Sequence, residues 1–226
     1  MLHETYRPTH WSDFIGNTKA RKATEAATKR AKADAKPLAF LITGLSGAGK
    51  TTLSKLIAAE LTQCPDMDVE ELDGDKCLVE TVRDLDRSGV LATRAWGGYR
   101  VVIVNECHAM SARAVQAWLT LLERLPRKSC VIFTTTEQNL FGSFGGPFSS
   151  RCIEIALTNQ GLAQDFARRA QEIAERENLG GADAKAYLRL VQECKNNFRM
   201  VLSRIEAGEM MRAETLETVS PETVTA

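Results

Sequence analysis

Of the 226 residues, 44% are apolar and 26% charged, enough for a sizeable core in a water-soluble chain and too apolar for a disordered polyelectrolyte. No apolar run nears the ~20 residues of a membrane span, and the polar N-terminus lacks a secretory-signal core. A cytoplasmic protein with no membrane partner is expected, or one of the nucleoid or nucleus. Formal net charge is zero but unevenly spread: seven Lys/Arg crowd Lys19 to Lys36 against Glu25 and Asp34, while the last fourteen residues carry only acids.

In chain order, Tyr6-Arg7-Pro8 precedes a turn at Ile15-Gly16-Asn17, and Asn17 to Ala35 reads as an amphipathic helix. Its basic run reads first as a solvated helix face and second as a nucleic-acid contact. Leu38 to Thr43 reads as a buried strand and Thr52 to Leu61 as a helix; between them lies Gly44-Leu-Ser-Gly-Ala-Gly-Lys50-Thr51, a complete phosphate-binding loop. Glycines let several backbone N–H groups converge on one phosphate, with Gly47, Ala48 and Gly49 at the centre. Lys50 adds a positive charge, Thr51 and Thr52 open the helix, and the Thr51 hydroxyl suits Mg²⁺. The competing reading is a Gly-rich turn that merely caps a helix.

Val69 to Asp73 predicts a short strand, Asp75 to Arg87 a helix, Trp96-Gly97-Gly98 a turn, and Tyr99 to Val104 a second strong strand. Ser111 predicts the N-cap of the next helix. Ser129 to Thr134 is a third strand, Asn139 to Ser149 a Phe/Gly-rich loop, and Arg151 to Ala156 a last strand. Near-continuous apolar strands alternating with helices imply an α/β fold, a parallel sheet sandwiched by helices. From Gly161 to Asn178 and Ala182 to Ala207 the pattern is helical only. The expected domains are 1–157 (nucleotide-binding α/β), 158–212 (helical lid) and 213–226 (a disordered tail). Six scattered cysteines, Cys64, Cys77, Cys107, Cys130, Cys152 and Cys194, form no Cys-x-x-Cys pair and suggest reduced, buried thiols rather than zinc.

A phosphate-binding loop needs a partner carboxylate on a neighbouring strand. Val101-Val-Ile-Val-Asn105-Glu106 supplies an amide and an acid at a strand end, with Glu106 as the group that polarises water and Asn105 as an outer-shell Mg²⁺ ligand. A solvated carboxylate is the plainer reading of Glu106.

With these motifs in this order, the chain resembles the clamp-loader branch of the AAA+ ATPases, as in replication factor C small subunits and polymerase III gamma/tau, over about residues 4–208. The resemblance begins at Tyr6, Arg7 and Pro8 and continues through Ile15 and Gly16, an element that wraps adenine in that family. It implies sensor 1 at Thr136, with Thr135 close behind, an arginine finger at Arg151 within Ser150-Arg151-Cys152, and a cis phosphate contact from Arg199. It further implies ATP and Mg²⁺, bound between the large domain and the helical lid. Expected partners are other AAA+ subunits in a homo- or hetero-oligomer, a sliding clamp and primer–template DNA, with Arg113 or the Lys19–Lys36 stretch on DNA phosphates. The gamma/tau zinc module and the loaders' collar are absent from these 226 residues. Two other classes remain: a non-hydrolysing scaffold subunit, which Asn105 leaves open, and a P-loop small-molecule kinase.

Overall fold

Apolar strands alternating with amphipathic helices build a parallel sheet covered on both faces in the computed structural model, which describes residues 1–87, 98–137 and 141–211. The tail 213–226, the start of the Phe/Gly loop and two residues of the Trp96-Gly97-Gly98 turn lie outside the described residues. The elements in chain order are α1 (Leu2–Thr5), α2 (Thr18–Asp34), β1 (Leu38–Thr43), α3 (Lys50–Leu61), α4 (Pro65–Asp68), β2 (Val69–Asp73), α5 (Val79–Arg87), β3 (Arg100–Asn105), α6 (Ala112–Leu122), β4 (Ser129–Thr135), α7 (Gly145–Ser149), β5 (Ile153–Ala156), α8 (Ala163–Arg176), α9 (Ala184–Glu193) and α10 (Phe198–Glu206). They fall into two units, Pro8–Thr158 and a helical unit of Asn159 onward together with Met1–Arg7.

In the α/β unit the strand order is β2-β3-β4-β1-β5, every pair parallel. The two-residue period of a strand sorts its side chains between two cores. Ala39, Leu41, Val102, Val104, Val131 and Phe133 meet Val82 of α5 and Val115 and Trp118 of α6 on one face. Phe40, Ile42, Val101, Ile103 and Ile132 meet Leu53, Leu56 and Ile57 of α3 on the other. Truncating one of the buried Leu or Ile side chains to Ala costs about 2–5 kcal/mol. Both faces being covered, β4 is buried along its whole length, its apolar centre Cys130 to Phe133 flanked by the buried hydroxyls of Ser129, Thr134 and Thr135.

Several local features differ from the sequence reading. The Phe/Gly stretch is not all loop: a short 3-10 turn, Gly142–Phe144, leads into α7, because Phe148 packs edge-on against Phe133 and Phe141 at centroid distances of 4.7 and 4.9 Å. The last strand starts at Ile153, leaving Arg151 in the turn before it. The helix expected from Asp75 begins only at Val79, after a 3-10 turn at Gly74–Lys76.

The helical unit packs α8 with α9 and α10, and α1 with α10. The single helix expected over Ala182–Ala207 is two, because Lys195 and Asn196 take left-handed φ of 51° and 58° and the Asn197 side chain caps α10 by accepting from Met200 N. Residues 1–7, assigned above to the nucleotide domain, group with these helices: Leu2 is buried and the Tyr6 hydroxyl donates to Glu177 Oε1 at 2.5 Å. That bond to a carboxylate raises the Tyr6 pKa.

Candidate active site

Parallel strands deliver their C-terminal ends to one edge of the sheet, where α/β proteins place their ligand sites. Here that edge gathers the Gly44–Thr51 loop after β1, the end of β4 and the Asn105–Glu106 end of β3.

The loop leaves β1 at Gly44, whose φ of +156° suits glycine, and an added Cβ would sit 2.8 Å from the Leu157 carbonyl oxygen. Gly47 and Gly49 have φ of 76° and 93°. A side chain on Gly49 would meet the Phe14 ring at 3.0 Å. Three positions thus exclude side chains by conformation or contact, and the curl they permit brings the loop round to the N-terminus of α3. The positive end of the helix dipole there attracts an anion. Lys50 is buried, and its Nζ donates to the Gly44 and Leu45 carbonyls at 2.9 and 3.2 Å. Thr51 and Thr52 follow in the first turn of α3, half-buried. Backbone curl, ammonium and hydroxyl fit a magnesium-bound triphosphate: the loop amides and Lys50 would hold its phosphates, and Thr51 the cation.

Strand register brings Thr43 of β1 beside Thr135 of β4, and Gly44 N donates to the Thr135 carbonyl at 3.2 Å. One strand over, the Thr134 hydroxyl lies 3.4 Å from Asn105 Oδ1, to which it donates, and accepts from Glu106 N at 3.3 Å. Asn105 Nδ2 donates to Glu71 at 3.5 Å, and Glu71 pairs with Lys55 at 3.3 Å. The amide at this position therefore offers a neighbouring carboxylate a donor, which an Asp could not. Glu106 leaves the strand in a left-handed conformation, φ 47° and ψ 49°, with its side chain 52% exposed at the sheet edge. Gly74 explains part of that path: a Cβ there would lie 2.3 Å from the Glu106 carbonyl oxygen. Sequence reasoning missed Gly74, for which Asp73-Gly74-Asp75 gives only a generic turn signal.

The remaining expected residues are placed as follows. Thr136 sits half-buried just past β4, while the hydroxyl contacts belong to Thr134 and Thr135. Ile15 and Gly16 follow the buried Phe14, and Gly16 and Asn17 take left-handed φ of 72° and 45°. Asn17 clamps Thr158 by donating to its carbonyl at 3.0 Å and accepting its N–H at 2.9 Å. Arg151 pairs with Glu123 at the end of α6 and donates to the Pro147 carbonyl at 2.7 Å. In the helical unit, Arg7 is half-buried and Arg199 is exposed in the first turn of α10. Arg113 is exposed in the first turn of α6 and lines a groove of about 420 Å³ with Arg83 and Arg124. In the basic stretch of α2, Lys29 pairs with Glu25 and Lys32 with Glu60. Among the described residues no helix is long and apolar enough to cross a membrane.

Comparison with known proteins agrees with this geometry. The family model described as the Holliday junction DNA helicase RuvB P-loop domain matches residues 6–120. The DNA polymerase III subunit gamma/tau of Mycoplasma pneumoniae is 27% identical over 202 residues, 79% of this chain and 28% of that protein. Replication factor C subunit 4 of Encephalitozoon cuniculi is 24% identical over 87% of this chain and 65% of its own length. A solved structure of RuvB from Thermotoga maritima superposes with a TM-score of 0.70 at 19% identity, over 89% of this chain and 65% of that one, a likeness of fold. The chain thus spans less than two thirds of each of these relatives.

Proposed function

We propose, for a chain that belongs to the family of the Holliday junction DNA helicase RuvB P-loop domain, that it is an ATP-hydrolysing AAA+ subunit acting on a sliding clamp and primer–template DNA. One observation carries this reading: the glycine-lined loop after β1 and the exposed Glu106 after β3 share a sheet edge, bridged by Thr134 and Thr135 of β4. Resemblance to polymerase III gamma/tau and replication factor C, together with Ser150-Arg151-Cys152, supports the clamp-loading direction.

In this reading the Gly47, Ala48 and Gly49 amides and Lys50 bind the phosphates, Thr51 holds Mg²⁺, and Asn105 stands in its outer shell. Pro8, Ile15 and Gly16 face the base. The magnesium-bound nucleotide supplies the phosphoryl group and spreads its charge. Glu106 orients a water and accepts its proton, Thr136 reads the terminal phosphate, and Arg151 reaches a neighbouring subunit's site, where a planar guanidinium suits the transferring oxygens. Arg113, with Arg83 and Arg124, offers phosphate contacts to DNA, so binding should weaken steeply with salt.

A second reading rests on the family model itself, whose name points to a helicase acting on branched DNA. Steady-state ADP release separates the two, measured for wild type and Lys50→Ala alone, with clamp plus primed DNA, and with a four-way junction. Stimulation by clamp and primed DNA that Lys50→Ala abolishes supports the first reading. Stimulation by the junction alone replaces it with the second, and no turnover in any arm leaves a non-hydrolysing subunit.

A further inference from the structure

The imidazole of His108 stands between Thr135 of β4 and the Glu106 carboxylate that the proposed chemistry needs. It lies in the 3-10 turn Cys107–Ala109 that follows β3, and its Nδ1 is 3.2 Å from Thr135 Oγ1 and 3.5 Å from Glu106 Oε2. Thr135 is fully buried and fixed from both ends. Its Oγ1 accepts from Glu137 N at 3.0 Å, and its carbonyl accepts from Gly44 N, the first residue of the phosphate loop. Glu106, by contrast, is half exposed, with a main chain that swings its side chain out of the sheet.

We propose that His108 is the positioning residue of the Glu106 carboxylate, registered against β4 by Thr135. The proposal rests on the ATPase reading above. Thr135 meets the imidazole through its side chain and the phosphate loop through its main chain, so His108 relays the position of that loop to the carboxylate that must orient water. The tautomer sets which partner is served. With the proton on Nδ1, the ring donates to Thr135 Oγ1, or, on turning toward the carboxylate 3.5 Å away, to Glu106. With Nδ1 bare, it accepts from the Thr135 hydroxyl and leaves Glu106 without that donor. A shift of the sensor strand as nucleotide binds would then release or recapture the carboxylate.

The test compares wild type, His108→Phe, His108→Asn, Thr135→Val and the His108→Phe/Thr135→Val double variant in full-length protein with its clamp and DNA. ADP release gives kcat and KM, calorimetry gives the nucleotide Kd, and circular dichroism checks folding. His108→Phe should lower kcat about 10- to 100-fold with Kd within about threefold, the range for lost positioning of an acid–base group. His108→Asn, which keeps a donor near the Nδ1 position, should recover most of the loss. The double variant should be no slower than the worse single, because the two residues act in series. An active wild type with His108→Phe at the same kcat, a loss carried equally by Kd, or additive single losses would overturn the proposal alone. A wild type without turnover in any arm overturns the ATPase reading and this proposal together. Should His108→Phe not fold, the His108→Asn and Thr135→Val pair decides by the same criteria.

Discussion

The two halves of the sheet edge are built from different materials. Around β1 the site is made of main chain: curled amides, carbonyls gripping Lys50, and glycines at Gly44 and Gly49 that leave no room for a side chain. Around the ends of β3 and β4 it is made of side chains, Asn105, Thr134, Glu106, His108 and Thr135, linked by contacts of 3.2–3.5 Å. A main-chain cradle has few alternative conformations and is preformed for binding. A side-chain network on a half-exposed carboxylate has several, and suits a switch. Binding and chemistry should therefore be separable by mutation.

The largest expected effect tests that separation. Glu106→Gln keeps the shape of the network and removes the proposed acceptor of the water proton, so turnover should fall about 100- to 1000-fold with nucleotide Kd changed by less than about threefold. Gly49→Val should do the reverse. Its side chain meets Phe14 and its φ of 93° is hostile to a β-branched residue, so nucleotide uptake measured by calorimetry should be lost outright. If Glu106→Gln loses nucleotide binding along with turnover, the two halves form one unit and the contrast fails.

Next in size are two glycine-to-alanine changes. Gly44→Ala places a Cβ 2.8 Å from the Leu157 carbonyl at a φ that alanine seldom adopts, and should cost roughly 3 kcal/mol by denaturant titration. Gly74→Ala presses on the Glu106 carbonyl from 2.3 Å, with ordinary backbone and no contact with the phosphate loop. It should lower kcat about tenfold and leave Kd in place, since a misplacement of about 1 Å can cost up to ~100-fold in rate. Equal damage to Kd would mean that the two halves move together.

The same contrast decides what could be read without coordinates. A phosphate cradle demands glycine, lysine and threonine at fixed spacing, so Gly44 to Thr51 announces itself, and the apolar runs of β1, β3 and β4 announce a buried parallel sheet. The N-cap at Ser111 is local chemistry and equally visible. What is hidden is set by register. Nothing in Cys107-His108-Ala109 says that the imidazole meets Thr135, twenty-seven residues away. Nothing near Gly74 says that Glu106 lies against it. The left-handed pair Lys195–Asn196 hid inside an apparently continuous helix because Lys is an ordinary helix former, with Asn196 and Asn197 the only cue. The grouping of residues 1–7 with the helical unit is hidden for a related reason: the packing of α1, with its buried Leu2, on α10 is a long-range contact with no local signature.

A smaller effect follows from Asn105. Its Nδ2 donates to Glu71, so Asn105→Asp sets two carboxylates side by side. The contact is long and partly exposed, so the loss of stability should stay within about 1 kcal/mol, and Glu71→Gln on the same background should restore it. Added charge at the end of β3 should tighten Mg²⁺ dependence of turnover in the same variant. A stable Asn105→Asp with unchanged Mg²⁺ response would remove Asn105 from the cation's surroundings.

The smallest effect asks how firmly the side-chain half is seated. Cys107 directly follows Glu106 and lies in one core cluster with Cys77, the partly buried Cys152 packing against that cluster, and burial raises all three thiol pKa values, that of Cys152 to about 12. The thiolate is the nucleophile, so at pH 8 only a very small fraction of Cys152 is reactive. Its labelling rate should climb about tenfold per pH unit from pH 7 to 10 without a plateau, because each step stays below the folded pKa. Mass spectrometry after alkylation of the native protein should therefore find the half-buried Cys64 modified long before the buried Cys107 or Cys130. Gly74→Ala should selectively speed Cys107, whose Cα lies 3.1 Å from the added Cβ, and leave Cys130 within the sheet untouched. Equal acceleration of both thiols would instead locate the damage in the whole sheet, and the end of β3 would lose its claim to be the looser half.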